Sequence, residues 1–260
     1  MATPERPGAF LEELTWPEAK VLFDAGAVVV VPIGAAAKEH GPHLPLGTDW
    51  RVARALAERI AAALPVVVAP VVGFGYYPAF VNYPGSQHLT AATFIALVEE
   101  LLGNLVAHGV TRIAILNTGV STEAPLQLAA RTIKERQGVT PVIADISSLG
   151  RAARHLLRQQ AGGHADEHET SLMLAIDPAA VRLERAEPDY GHALDAPKNV
   201  FHRPVTFTGD PAAGADYSRT GAFGDPTLAT AEKGRAFLDA MAEDLIQGLR
   251  ASFPEAFLRS

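Results

Sequence analysis

Seven consecutive residues, Ala27 to Ile33, read AVVVVPI and contain no polar side chain. A run this short, β-branched and unalternating is read as a strand buried on both faces, as in the interior of a parallel sheet. The rest of the chain repeats the pattern. RVARALAERIAAAL (51–64) reads as a helix, and VVVAPVV (66–72) as a second strand. A Gly/Tyr/Pro-rich loop spans 73–88. Thr90 then caps a helix over 91–107, with Phe94, Leu97, Val98, Leu101, Leu102 and Leu105 on one face. Gly109 is its natural stop. RIAIL (112–116) is a third strand, EAPLQLAARTIKERQ (123–137) a helix ended by Gly138, and TPVIADI (140–146) a fourth strand. ETSLMLAI (169–176) is helical and stopped by Asp177-Pro178, and a final helix runs from near Thr230 to about 252. Strands alternating with helices predict the α/β class, a three-layer α/β/α sandwich with a mainly parallel sheet. Residues 185–226 are rich in Pro, Gly and Asp without a period, and read as an ordered loop region beside a cleft or an interface. No repeat or linker interrupts the pattern, so residues 1–260 are taken as one domain.

Composition narrows the function. The net charge of −7 argues against nucleic acid as a partner, since phosphate binding needs clustered Lys and Arg. No apolar run approaches about 18 residues, so no membrane span is expected. The N-terminal MATPERPGAF lacks the basic end and apolar core of a signal peptide, and a cytoplasmic protein is expected. There is no Cys, so any transition-metal site uses His, Asp and Glu. Nine His supply the means.

Two stretches concentrate the chemistry. PIGAAAKEHGPHLPLGTD (32–49) places Lys38, Glu39, His40, His43 and Asp49 where the first strand ends. Sites in open α/β sheets form outside the carboxyl ends of strands, where NTGVSTE (117–123) also falls. Glu39, His40 and Asp49 suit Zn, Mn or Fe; the plain alternative is a wet loop in which Asp49 starts a helix. GGHADEHETS (162–171) holds His164, Asp166, Glu167, His168 and Glu169. Its H-x-x-E-H spacing matches inverted zinc peptidases if a helix already runs through His164. The alternative is an acidic helix start favoured by the macrodipole. Tyr76, Tyr77, Phe80 and Tyr83 are placed to line a small-molecule pocket. His88 reads as a helix-start residue, His108 as a helix C-terminus residue and His155 as part of a solvated basic helix.

These motifs together resemble the creatininase (creatinine amidohydrolase) family. The resemblance rests on PIGAAAKEHGPHLPLGTD, on YPGS (83–86), on HADEHETSLMLAIDP and on GAFGDPTLATAEKG (221–234). It implies an α/β/α sandwich, compact homo-oligomers that are often hexamers, and metal-dependent hydrolysis of non-peptide C–N bonds. It implies that His40 is a ligand and Asp49 a bridging ligand. The family's Glu position is Lys38 here, and the acid has moved to Glu39. Either Glu39 reaches the metal, or the Lys38 ammonium replaces one cation's charge. The family's Asn-Gly-His and the ligand after it are missing: this chain reads Asn117, Thr118, Gly119, Val120, Ser121, with Glu123 displaced. That weakens a second metal site unless Glu167 or Asp166 compensates. His164 matches the family's catalytic His, and Glu169 a supporting or ligating acid.

The leading expectation is a metal-dependent hydrolase of a small cyclic amide, carrying one or two divalent ions (Zn, Mn or Fe) per chain. Glu39, His40, Asp49 and Glu169 are the expected ligands, with His164, Glu167 and Lys38 as catalytic groups and Glu167 a further potential ligand. Tyr76, Tyr83 and Ser121 are the expected substrate-binding residues. The alternatives are a metal-independent lyase or isomerase using Lys38, Glu39 and His164, and a non-catalytic oligomer that binds a small molecule.

Overall fold

The computed structural model describes residues 7–191, 200 and 204–258; His192 and His202 lie outside the described residues. Five strands form one parallel sheet in the order β1-β3-β2-β4-β5. They are β1 (Ala9–Phe10), β2 (Val28–Ile33), β3 (Val66–Val68), β4 (Ile113–Asn117) and β5 (Val142–Asp145). β2 is central, with Val30 opposite both Val68 and Ala114. Its two-residue period sorts its valines into two cores. Val28 and Val30 pack with α2 (Thr48–Ala63), α5 (Glu167–Ile176) and α6 (Ala231–Ser252) through Leu56, Leu172 and Phe237. Val29 and Val31 pack with α3 (Ala91–Ala107) and α4 (Glu123–Gln137) through Phe94, Leu102 and Leu126. The result is the expected three-layer sandwich.

Helix ends follow local chemistry. The Thr90 hydroxyl accepts from the Thr93 N–H at 3.2 Å to start α3. Gly138, in the left-handed region with φ +75°, ends α4. A helix absent from the sequence reading, α1 (Trp16–Asp24), starts with a capping box in which Thr15 N–H donates to Glu18 at 2.7 Å.

Three expectations are corrected. The second strand ends at Val68, because Pro70 has no N–H for a ladder, and the chain rejoins β2 only at an isolated Ile33–Val72 bridge. The basic stretch after Arg151 makes only a 3₁₀ turn, Arg151–Leu156. The helix expected at 169–176 starts at Glu167, because Asp166 caps it by accepting from Glu169 N–H at 3.0 Å. His164 therefore lies outside that helix, and the two-imidazole face of an H-x-x-E-H motif does not form.

The register aligns Ile33 with Asn117 and Asn117 with Asp145, so the strands end together. At the step off β2 the chain needs Gly34: a side chain there would overlap the Asp49 carbonyl and the Thr118 hydroxyl. That bare position lets the first turn of α2 abut the strand end. No helix among the described residues is long and apolar enough to cross a membrane.

Candidate metal centre

The loop after β2 turns its charged side chains inward. Lys38, Glu39, His40 and Asp49 are all buried, His40 completely. The backbone explains why they stay there. Lys38 N–H donates to Leu46 O at 3.0 Å, and Glu39 N–H to the Ser86 hydroxyl at 3.0 Å. Asp49 lies in the first turn of α2, where the helix dipole favours a carboxylate. One of its oxygens faces His40 Nε2 at 2.9 Å and the other lies 2.7 Å from Lys38 Nζ.

His40 carries the strongest electrostatic information. Its Nδ1 faces the Lys38 carbonyl oxygen at 2.9 Å, and its Nε2 faces the Asp49 carboxylate. Both neighbours only accept. The ring therefore either carries two protons or donates from Nδ1 while a cation takes the Nε2 proton's place. Donation from the far nitrogen to a backbone carbonyl is how metal-bound imidazoles are oriented. Burial opposes charge on His40, but Asp49 outweighs it and raises the pKa above its ordinary value. Burial likewise opposes charge on Lys38, yet Asp49, Glu169 and Glu39 keep it protonated. Asp49 is held ionised against its burial by Lys38 and His40.

His164 enters from the segment before α5. Its Nε2 lies 2.9 Å from Glu39 and its Nδ1 3.8 Å from Glu169. The Glu39 pKa is lowered: burial works to raise it, and His164 and the Gly41 N–H overcome that. Ala165 N–H donates to Glu169 at 2.6 Å. Ala165 has φ +47°, the only positive φ outside glycine among the described residues. Its conformation stores strain at this junction, and Phe223 holds it by donating its N–H to His164 O at 2.7 Å. Donor atoms of His40, His164 and Glu169 lie within 4.8 Å of one another, a grouping able to hold a metal ion.

Aromatic side chains wall the cluster. The Phe80 ring lies 4.0 Å from the His164 ring and stacks on Phe207 at 5.5 Å, between centroids. Phe207 is pinned there, donating its N–H to Ala79 O at 2.8 Å and accepting from Asn82 at 3.1 Å. Gly221, at φ +83°, passes so close to the Glu39 carboxylate that any Cβ would overlap it. Phe207 and Gly221 both lie in the aperiodic 185–226 stretch, where Gly221 opens the GAFGDPTLATAEKG motif and Phe207 belongs to no motif.

The structure brings some of the expected site residues together and places others elsewhere. Lys38, Glu39, His40, Asp49, His164 and Glu169 converge. Glu167 does not join them: it is fully buried on another side of α5, paired with Lys233 and accepting from the Arg158 and Gln159 N–H groups at 2.8 Å each. Its assignment as ligand or catalytic acid is corrected for that reason. Asp166 is occupied by capping and by Gln159 at 2.7 Å, and Glu123 accepts from Ser147 at 2.7 Å. Tyr76 and Ser121 line a small space of about 10 Å³ that Lys38 and Asp49 also line, with Asn117, Thr122 and Tyr77. The Tyr83 hydroxyl is tied to Ser218 O at 2.9 Å. His88 sits before the Thr90 cap and contacts Tyr77. A larger apolar groove, lined by Leu11, Trp16, Phe23, Val71, Leu101 and Leu105, shares no residue with the cluster.

The fold and the cluster define a three-layer α/β protein with a buried His/carboxylate centre at the carboxyl edge of its sheet. Residues 12–249 match the creatininase family, described as creatinine amidohydrolase, and the chain belongs to that family. It is 27% identical to the creatinine amidohydrolase of Pseudomonas putida over 94% of this chain and 97% of that one. It is 31% identical to the mycofactocin precursor peptide peptidase of Mycobacterium tuberculosis over 87% of this chain and 86% of the relative. A solved structure described as a manganese creatininase superposes with a TM-score of 0.80 at 25% identity, covering 95% of this chain and 99% of that one. A mutant creatininase of the Zn-Zn type gives 0.79 at 26% identity, covering 94% and 98%.

Proposed function

We propose that this chain is a metal-dependent amidohydrolase that opens a small cyclic amide. The observation that carries the reading is the charge balance of the cluster. Three carboxylates, Glu39, Asp49 and Glu169, face one ammonium, Lys38, around two imidazoles that each have acceptors at both nitrogens. A surplus of negative charge in a buried site is settled by protonating the imidazoles or by a divalent cation. His40, Glu169 and Asp49 fit the borderline ions Zn, Mn and Fe, with Glu39 beside them.

A divalent ion held there would polarise the amide carbonyl and make water nucleophilic at neutral pH. The chain's own residues supply the rest. His164, set against Glu39, is placed to pass a proton to the leaving nitrogen. Glu39 orients that ring by its 2.9 Å contact. Phe80 and Phe207 give the reacting group a flat apolar wall and exclude water from it.

A second reading, hydrolysis of a peptide C–N bond, draws support from the 31% identity to the mycofactocin precursor peptide peptidase. Metal content per chain, followed by a screen of lactams, cyclic ureas and short peptides before and after chelation, tests both. Ion-dependent ring opening supports the first reading, and ion-dependent cleavage of peptides alone transfers support to the second. Full turnover of any substrate after exhaustive chelation would overturn both, and would favour acid/base chemistry by Lys38, Glu39 and His164.

A further inference from the structure

The Lys38–Asp49 contact is close in distance but not aligned as a hydrogen bond. Nζ lies 2.7 Å from Asp49 Oδ2, yet Oδ2 has no hydrogen-bond donor in bonding geometry. The ammonium acts there as a compact charge set against a carboxylate oxygen. The other oxygen, Oδ1, is taken by His40. Asp49 thus has one oxygen turned to the imidazole and carboxylate cluster and one to Lys38, and each already faces a group able to carry positive charge.

The surroundings of Lys38 fit a fixed position. Its side chain is buried, its backbone is bonded to Leu46, and Nζ lies 5.1 Å from the centre of the Phe80 ring. The small space it lines is shared with Asn117, Ser121, Thr122, Tyr76 and Tyr77, which bring neutral oxygens and no carboxylate of their own. The Asn117 amide is already committed, donating to Asp145 at 2.8 Å and accepting from Thr122 at 2.6 Å. A divalent ion on this side of Asp49 would find one shared carboxylate and an ammonium against it. The relative of the Zn-Zn type carries two ions, whereas three carboxylates less one ammonium leave a charge here that a single divalent ion balances.

We infer that the Lys38 ammonium stands in for a second cation at Asp49, so that this chain binds one divalent ion per site, on the His40 and Glu169 side. This rests on the metal-dependent reading above. Replacing Lys38 by a carboxylate removes the repelling charge and adds a ligand, and so opens Oδ2 to a second ion.

The test compares wild type, Lys38→Glu and Lys38→Met after saturation with Mn²⁺ and removal of loosely held ion. Ions per chain are counted by elemental analysis, and the electron paramagnetic resonance spectrum shows whether Mn²⁺ ions are coupled in pairs. One ion and an uncoupled signal are expected in wild type, and two ions with a coupled signal in Lys38→Glu. Lys38→Met should gain a second, weaker ion, which preserves the test if Lys38→Glu does not fold. Two ions in wild type, or no gain in either folded variant, would overturn the inference while leaving the hydrolase reading in place. No ion in wild type would overturn the inference and the hydrolase reading together.

Discussion

Glu167 and Glu169 stand two residues apart in the first turn of α5, and they serve different parts of the molecule. Glu169 points to the cluster, 3.8 Å from His164. Glu167 points into the packing between α5 and α6, where it is fully buried against Lys233. About 200° of helical rotation separates two side chains two residues apart, so a helix start rich in acids divides them between opposite sides. His168 goes with Glu167, edge-on to Phe237 at 4.3 Å. One short run of similar residues thus supplies both a polar staple for the scaffold and part of the candidate metal centre.

The largest expected effect tests the reactive side. His164→Gln should lower kcat by roughly 10²–10⁴-fold, the range for a lost general acid, with little change in unfolding free energy. Steady-state kinetics beside a urea titration reads both. Loss of stability without loss of turnover would place His164 with the scaffold. Glu167→Ala should do the reverse, destabilising by about 3–5 kcal/mol because half-buried Lys233 loses its partner and the Arg158 and Gln159 N–H groups lose their acceptor. Glu169→Gln should lose bound metal with a smaller loss of stability than Glu167→Ala, since the amide oxygen can still accept from Ala165 N–H. If the two glutamate variants behave alike, the division of the first turn fails.

His43 sharpens the same contrast. It is buried between the loop after β2 and α5, with Nε2 2.8 Å from the Thr170 hydroxyl. Burial pushes its pKa down to about 4, so it stays neutral at the pH of most assays. The unfolded chain takes up this proton below about pH 6.5 and the folded chain does not. The contribution of His43 is therefore constant above pH 6.5 and falls as the pH drops toward 4, by on the order of 3 kcal/mol. In His43→Asn that part of the pH dependence should vanish; an unchanged slope from pH 6.5 to 4 would mean that His43 titrates normally. The smallest effect concerns the aromatic wall. Phe207→Ala should raise KM by roughly tenfold or less, the scale of one aromatic contact, with kcat within about threefold. A larger fall in kcat than in affinity would give Phe207 a role in positioning His164.

Much of the scaffold was legible because parallel strands buried on both faces leave unbroken apolar runs, and the helices between them carry strong periods and clear caps. Thr90, Gly138 and Thr230 mark ends that the structure places within a residue or two of expectation. α1 was missed because its signal is a single capping box on a short helix. Within the cluster, Lys38, His40 and Asp49 could be grouped because all lie just past one strand. The fate of Glu167 could not be read, since it depends on which residue starts α5, and a shift of two residues turns the side chain to another face. Phe207 and Gly221 carry no sequence period at all. Phe207 is placed by hydrogen bonds with Ala79 and Asn82, and the segment that holds Gly221 by the bond from Phe223 N–H to His164 O.

The contact between Glu39 and His164 joins residues 125 apart in the chain. Closing so long a loop has an entropic cost that only the formed sheet and the packed α5–α6 pair can offset. The centre is therefore expected to assemble late in folding, after the strands that support it. An ion that binds only the finished centre stabilises the native state without touching the transition state that precedes it. Metal should then leave the folding rate unchanged and slow unfolding, which makes the loaded protein longer-lived without making it quicker to form.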